Sequence, residues 1–344
     1  MPIFSVKSRP TNIFFSVIIA ARNETDSIAA LLKDLDAQEY KNFEIILVDD
    51  HSTDGTAQKI TEIIPSLSVQ ASCIRLLAHE QGKKAAINKG ISQAKGTHIV
   101  STDADCRVGK RWLYTFAAYI ESKRPKLISA PVTLDFSSTL FEKIQTVEFI
   151  SLIGSGAVFM YWKKPNMCNG ANICYEKASF YEVNGFSGNE QIPSGDDEFL
   201  MHKIAALYPN DVRFIKSTDA IVRTRAKTSF RDFFYQRKRW ASKWNHYRSR
   251  SPIVVAILVF GFHLTFCLLP FLYLSGWIAV GTVLCFVALK MLGEFFFLAP
   301  LLRFTVQKNR IWLIPLVSLI HPFYVVFFGL AGNFGNYKWK GRTH

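Results

Sequence analysis

FEIILVDDHSTDGT, residues 43–56, begins as an apolar run, ends that run on two adjacent carboxylates and passes directly into helix-capping residues. Residues 43–48 predict a buried strand with Asp49 and Asp50 at its carboxyl end. Ser52, Thr53 and Asp54 can satisfy the first backbone N–H groups of a helix starting near residue 54. The same pattern recurs on both sides. Residues 15–21 read as strand, 27–37 as helix, 74–78 as strand, 83–94 as helix and 98–102 as strand. Strands alternating with helices predict an α/β fold with a doubly wound, mostly parallel sheet. In such sheets ligands bind beyond the carboxyl ends of the strands. Asp49 and Asp50 lie on that edge, as do Asp103 and Asp105 after the fourth strand.

The far end of the chain has a different character. Residues 251–302 carry only two formal charges, Lys290 and Glu294, and follow a segment crowded with arginine and lysine. Residues 253–274, 277–298 and 311–330 each approach the ~20 residues a bilayer requires, which predicts about three transmembrane helices. The expected division is a domain at 1–250 and a membrane domain at 251–344. Residues 141–162 are apolar but short and glycine-interrupted, and read as a buried or interfacial helix. Lys290 and Glu294 are one helical turn apart and can pair. The net charge of +14 fits membrane-flanking basic residues and anionic headgroups. No zinc spacing or RNP-like motif accompanies it, so nucleic acid is excluded as a partner. Arg303, Lys308 and Arg310 between the second and third spans agree with a cytoplasmic N-terminal domain. Lys338, Lys340 and Arg342 disagree, unless Pro315 and Pro322 break the last span into a re-entrant hairpin. The six cysteines show no paired spacing, as in a reduced compartment. The first thirteen residues have no secretory apolar core.

Several motifs carry chemistry, and each has a plainer reading. Asp103 and Asp105, separated by one residue after a strand, can hold Mg²⁺ or Mn²⁺ against a diphosphate; the same spacing occurs in solvated turns. Asp49 and Asp50 can accept hydrogen bonds from a nucleobase and ribose, or belong to a capped turn. Lys83 opens a helix whose N-terminus suits a phosphate, or is one exposed lysine among others. Asp196, Asp197 and Glu198 precede an apolar run and offer a general base, or complement a helix dipole. Gln236, Arg239 and Trp240 can meet a departing diphosphate and stack on a ring, or join Lys238, Lys243, Arg248 and Arg250 in a juxtamembrane belt.

The order and spacing of these motifs, from Ser16-Val17-Ile18-Ile19 through Asp49-Asp50, Gly82-Lys83, Asp103-x-Asp105 and Asp196-Asp197 to Gln236-x-x-Arg239-Trp240, resembles the membrane-bound family 2 glycosyltransferases. That family includes the cellulose, chitin, hyaluronan and poly-N-acetylglucosamine synthases. The resemblance covers about residues 14–250 and implies a GT-A, Rossmann-like fold. It implies an inverting enzyme that takes a nucleotide-sugar donor, commonly UDP-linked, and a lipid-linked or polysaccharide acceptor at the cytoplasmic face of the cell membrane. Carried over, Ala20, Arg22, Glu24, Asp49, Asp50, Lys83 and Asp103 would bind the donor, with Mg²⁺ or Mn²⁺ on Asp103 and Asp105. Asp197 would deprotonate the acceptor, with Asp196 beside it. Gln236, Arg239 and Trp240 would sit at the acceptor and leaving group, and Asn169 and Gly170 near the acceptor sugar. Ala20 stands where the family usually has proline, and Asp196 where it usually has glutamate. The small membrane portion leaves room for a homo-oligomer or other membrane subunits. The alternative function is a non-catalytic membrane scaffold that binds nucleotides or anionic lipids.

Overall fold

The computed structural model describes residues 1–6, 12–77, 79–136, 138–189, 192, 194–242, 250–332, 334, 338–339 and 342–343. The chain divides into two compact units, Met1–Asp135 with Ser155–Arg225, and Phe136–Gly154 with Ala226–His344. That division differs from the boundary expected at residue 250. Lys243, Arg248 and Lys340 of the expected basic segments lie outside the described residues.

In the first unit, β1 (Phe15–Ala21), α1 (Ile28–Asp36), β2 (Phe43–Asp49), α2 (Thr56–Ile63), β3 (Gln70–Arg75), α3 (Lys83–Gln93) and β4 (His98–Ser101) follow the predicted alternation. Then come α4 (Trp112–Lys123), β5 (Leu127–Ser129), β6 (Val132–Asp135), α5 (Leu140–Tyr161), β7 (Ile173–Glu176), α6 (Lys177–Glu182), α7 (Asp196–Leu207), β8 (Val212–Phe214) and β9 (Val222–Arg225). Seven strands form one sheet in the order β3-β2-β1-β4-β7-β5-β8. β7 runs antiparallel to both of its neighbours, and the other pairings are parallel. Every residue of β2 is buried, as a strand covered on both faces demands. Its one inward glutamate, Glu44, is satisfied by Ser16 Oγ at 2.7 Å and the Lys95 N–H at 2.6 Å. Helix α3 crosses close over β1 and β2, since a Cβ at Gly90 would lie 2.6 Å from Ile18 Cγ2. Beneath α4, the buried Trp112 indole donates to Asn172 Oδ1 at 2.9 Å. The Asn172 amide donates in turn to the carbonyls of Pro131 and Ala220, both at 2.7 Å.

The second unit contains the start of α5, α8 (Phe230–Ala241), α9 (Arg250–Leu274), α10 (Val280–Phe304) and α11 (Ile314–Ala331). Val147, Ile150, Leu298, Leu302, Leu313 and Val317 pack as its apolar core. α5 joins this core closely, since a Cβ at Gly154 would lie 2.3 Å from Leu301 Cδ1. Among the described residues, four helical segments are long and apolar enough to cross a membrane: Leu140–Tyr161, Pro252–Leu274, Val280–Phe304 and Lys308–Ala331. This is one more than expected, because α5 is an unbroken helix of 22 residues. α11 likewise continues through Pro322, with Pro315 in its first turn, so the re-entrant hairpin is replaced by a single helix.

Polar groups cross this unit in a chain. Arg237 of α8 and Glu148 of α5 are 2% and 6% exposed, and the Arg237 Nη2 donates to Glu148 Oε2. Tyr324 Oη donates to Glu148 Oε1 at 3.1 Å. Lys290 donates to Glu294 Oε1 at 2.5 Å, the pair expected from their spacing, and to the Ser318 carbonyl at 2.8 Å. Lys238 is buried, so it is not part of an exposed basic belt. Removing one member of a buried ion pair strands the other charge, at about 3–5 kcal/mol. Glu148→Ala and Arg237→Ala should therefore each destabilise the detergent-solubilised protein by that amount. The double variant should cost less than the sum, as read by a double-mutant cycle of unfolding free energies.

Candidate active site

The carboxyl edge of the parallel strands is held together by two adjoining loops. After β1, the Asn23 N–H donates to Ser52 Oγ at 3.0 Å and the Glu24 N–H to Thr56 Oγ1 at 2.8 Å. The Thr53 N–H donates back to Asn23 Oδ1 at 2.9 Å. Helix α2 is capped by Gly55 at φ 86°, while Asp54 Oδ1 accepts from the Thr56 N–H at 3.0 Å. Ala20 pairs with Val48 at the end of β1 and is half-buried. Arg22 Nη1 donates to the Asp50 carbonyl at 2.7 Å and lies 4.0 Å from the Asp50 carboxylate. Asp49 is fully enclosed, with the Ser52 N–H at 3.4 Å and Arg75 Nε at 3.5 Å from its oxygens. Asp50 Oδ2 accepts the Gly82 N–H at 3.1 Å. That contact joins the second strand to the N-terminus of α3, whose cap Gly82 has a φ of 93°, a region open chiefly to glycine.

Lys83 is the first residue of α3. Its Nζ lies 2.6 Å from Asp103 Oδ1 and 4.0 Å from Asp196 Oδ2. Burial works against the ammonium charge, but the attraction of Asp103, Asp196 and Asp197 outweighs it and pushes the Lys83 pKa up. Acids that are far apart in sequence thus share one cation. Ligand atoms of Asp103, Asp105 and Cys106 lie within 4.8 Å of one another. Burial pushes the Cys106 thiol well above the usual range, with Asp105 and Asp103 adding to the shift. The hard oxygen donors of this group are the carboxylates of Asp103 and Asp105. A hard divalent cation with substrate phosphates fits that donor set.

Asp197 lies in the first turn of α7, which is capped by Gly195 at φ 80°. Its Oδ2 accepts the Gly170 N–H and its Oδ1 the Glu198 N–H at 2.9 Å. A Cβ at Gly170 would approach the Asp197 carboxylate to 3.3 Å. The turn is set by Asn169, whose Oδ1 accepts the Ala171 N–H at 2.9 Å. Asn169, Gly170 and Asp197 therefore form one local arrangement. In the second unit, Gln236, Arg239 and Trp240 lie on α8, half-buried. The Arg237 guanidinium stacks 4.2 Å from the Trp240 ring centroid and 5.0 Å from that of Phe233. Trp240 packs 5.9 Å from Phe149. Arg237, Glu148 and Tyr324 were missed from sequence; the one available signal was an acid inside an otherwise apolar helix.

Ligand atoms of His263, Glu294 and His321 in the second unit also lie within 4.8 Å of one another. Part of their bonding is taken up by neighbours. The His263 Nδ1–H donates to the Val259 carbonyl at 2.8 Å, His263 Nε2 meets His321 Nδ1 at 3.1 Å and Glu294 accepts from Lys290. The lysine charge beside them opposes a cation, so this cluster is a hydrogen-bonded helix contact.

Residues 16–182 match the family model "Glycosyl transferase family 2". The amylovoran biosynthesis glycosyltransferase AmsB of Erwinia amylovora is 41% identical over 96 residues, 27% of this chain and 31% of that protein. Poly-beta-1,6-N-acetyl-D-glucosamine synthase of Staphylococcus aureus is 33% identical over 179 residues, 48% of this chain and 40% of that protein. The matches thus span less than half of these relatives' lengths. Among solved structures, the mannosyltransferase PcManGT of Pyrobaculum calidifontis, in complex with GDP-Man and Mn²⁺, superposes with a TM-score of 0.56 at 18% identity, covering 91% of this chain and 90% of that one. S. aureus TarS 1–349 in complex with UDP gives 0.50 at 17% identity, covering 96% of both chains. Residues 16–182, just under half of the chain, thus match a family 2 glycosyltransferase domain, and the likeness to the solved structures shows a GT-A fold.

Proposed function

We propose that the protein is an inverting glycosyltransferase that moves a sugar from a nucleotide-sugar donor to a lipid-linked or polysaccharide acceptor at the cytoplasmic face of the cell membrane. The observation that carries this reading is the gathering of Asp103, Asp196 and Asp197 around Lys83, with Asp50 bonded to the residue before it. A site with carboxylates for a cation, a cation for phosphate and a carboxylate beside a backbone turn has the parts that sugar transfer from a diphosphate needs. The four helices among the described residues that are apolar enough to cross a membrane support an acceptor that is lipid-bound or exported. The relative named as a poly-beta-1,6-N-acetyl-D-glucosamine synthase supports an N-acetylglucosamine-type donor sugar.

In this reading Arg22, Glu24, Asp49 and Asp50 line the nucleoside end, beside Ala20, and Lys83 meets the diphosphate. Asp103 and Asp105 would hold Mg²⁺ or Mn²⁺, which when bound neutralises charge at the diphosphate. Asp197, oriented by the Gly170 and Glu198 N–H groups, takes the proton of the acceptor hydroxyl. The hydroxyl oxygen forms its bond to the anomeric carbon as the bond to the diphosphate oxygen breaks on the opposite face. Asp196 keeps Lys83 close to this centre, and Asn169 shapes the turn that faces the acceptor. Gln236, Arg239 and Trp240 keep the acceptor and leaving-group roles that the family resemblance implies.

Asp197→Asn should lower the rate of sugar transfer by about 10²–10⁴-fold, the usual worth of a general base, with donor affinity unchanged. The check is release of nucleoside diphosphate from labelled nucleotide sugars by the protein in membranes. Near-normal turnover would remove Asp197 from the role. The Asp103→Ala, Asp105→Ala double variant should lose metal-dependent nucleotide binding by calorimetry, and retained binding would refute the cation site.

A further inference from the structure

The Lys83 ammonium occupies the position where a cation at Asp103 would be most strongly held. Its Nζ is 2.6 Å from Asp103 Oδ1, and its side chain is 23% exposed against 40% for that of Asp103. A divalent ion shared by Asp103 and Asp105 would stand directly beside it, because those carboxylates lie within 4.8 Å of one another. Like charges in contact repel even where solvent reaches them. Metal alone therefore meets a carboxylate already neutralised and an ammonium in the way. A nucleoside diphosphate arriving with the metal changes the balance. Its phosphates offer Lys83 an alternative anion at the N-terminus of α3, and Asp196 Oδ2, 4.0 Å away, offers another.

We propose that Lys83 is a built-in competitor of the divalent cation: it holds Asp103 while the donor site is empty and surrenders it only to a metal that arrives with a nucleoside diphosphate. This rests on the assignment of Asp103 and Asp105 to the donor end. The consequence is a positive coupling between metal and nucleotide, and by linkage each raises the affinity of the other by the same factor. The site thereby selects the metal–diphosphate pair over free metal.

The test uses the full chain in lipid nanodiscs, with Mn²⁺ binding followed by the electron paramagnetic resonance signal of the free ion. The probes are Mn²⁺ alone, with UDP and with GDP. Wild type should bind Mn²⁺ weakly, and the matching nucleotide should tighten it by a factor of roughly 5–150. Lys83→Met should bind Mn²⁺ alone about tenfold more tightly, and the nucleotide should then add little. Lys83→Arg, which keeps the charge, should behave as wild type, and its thermal melt together with that of Lys83→Met verifies folding. The Asp103→Ala, Asp105→Ala variant should lose the Mn²⁺ signal, which assigns it to this site. Unchanged or weaker Mn²⁺ binding in a folded Lys83→Met, with nucleotide coupling intact, overturns the inference alone. Absence of any metal-dependent nucleotide binding in wild type overturns the functional reading and the inference together.

Discussion

At one edge of its sheet the first unit gathers several carboxylates around a single ammonium, that of Lys83. Two like charges 4 Å apart cost about 4 kcal/mol at the effective dielectric of a protein surface. Asp103, Asp196 and Asp197 all act on the same ammonium. The parallel strands β2, β1 and β4 end side by side, so the acids that follow β2 and β4 arrive on one edge. The close crossing of α3 over β1 and β2 brings Lys83 to that edge, and the Asp50 contact with Gly82 fixes where the helix begins. Architecture and charge balance are the same constraint seen from two sides.

The second unit solves a different electrostatic problem. Large apolar side chains such as Leu258, Phe271, Leu284 and Phe296 are exposed on α9 and α10, a surface suited to lipid. Inside, three charges of the helix core meet an opposite charge or a hydroxyl: Arg237 with Glu148, Glu148 with Tyr324, Lys290 with Glu294 and Ser318. The Arg237–Glu148 pair also fixes α8 through the ring of Trp240. The residues of the Gln236-x-x-Arg239-Trp240 motif thus sit on a helix whose orientation is set by a pair that the motif does not name.

The part of the fold with strong local signals was legible in the sequence. Residues 15–21 form β1 as expected, and β2 and α3 each differ by one residue from the reading. β3 was displaced, from 74–78 to Gln70–Arg75. It is an edge strand with no buried residue, and its register comes from pairing with β2, Glu44 opposite Gln70 and Asp49 opposite Arg75. β5, β7 and β8 are three or four residues long, too short for periodicity to reveal. α5 looked interrupted because of Gly154 and Gly156, yet the helix runs through both, and its polar residues Glu142, Gln145 and Glu148 each find a bond within the unit. The acid motifs were visible by type and spacing. Their shared cation was not, because Lys83 and Asp103 meet across 20 residues, and Glu148 and Arg237 across 89.

The central claim is that acids from separate segments of the chain enclose one metal-bound diphosphate. It is tested most directly by a structure of the full chain with Mn²⁺ and a nucleoside diphosphate, with the metal located by anomalous scattering. The account predicts a manganese peak bonded to Asp103 and Asp105, phosphate oxygens at the N-terminus of α3, and the nucleoside beside Asp50. A metal bound elsewhere, or a nucleotide remote from Asp50 and Lys83, would contradict it.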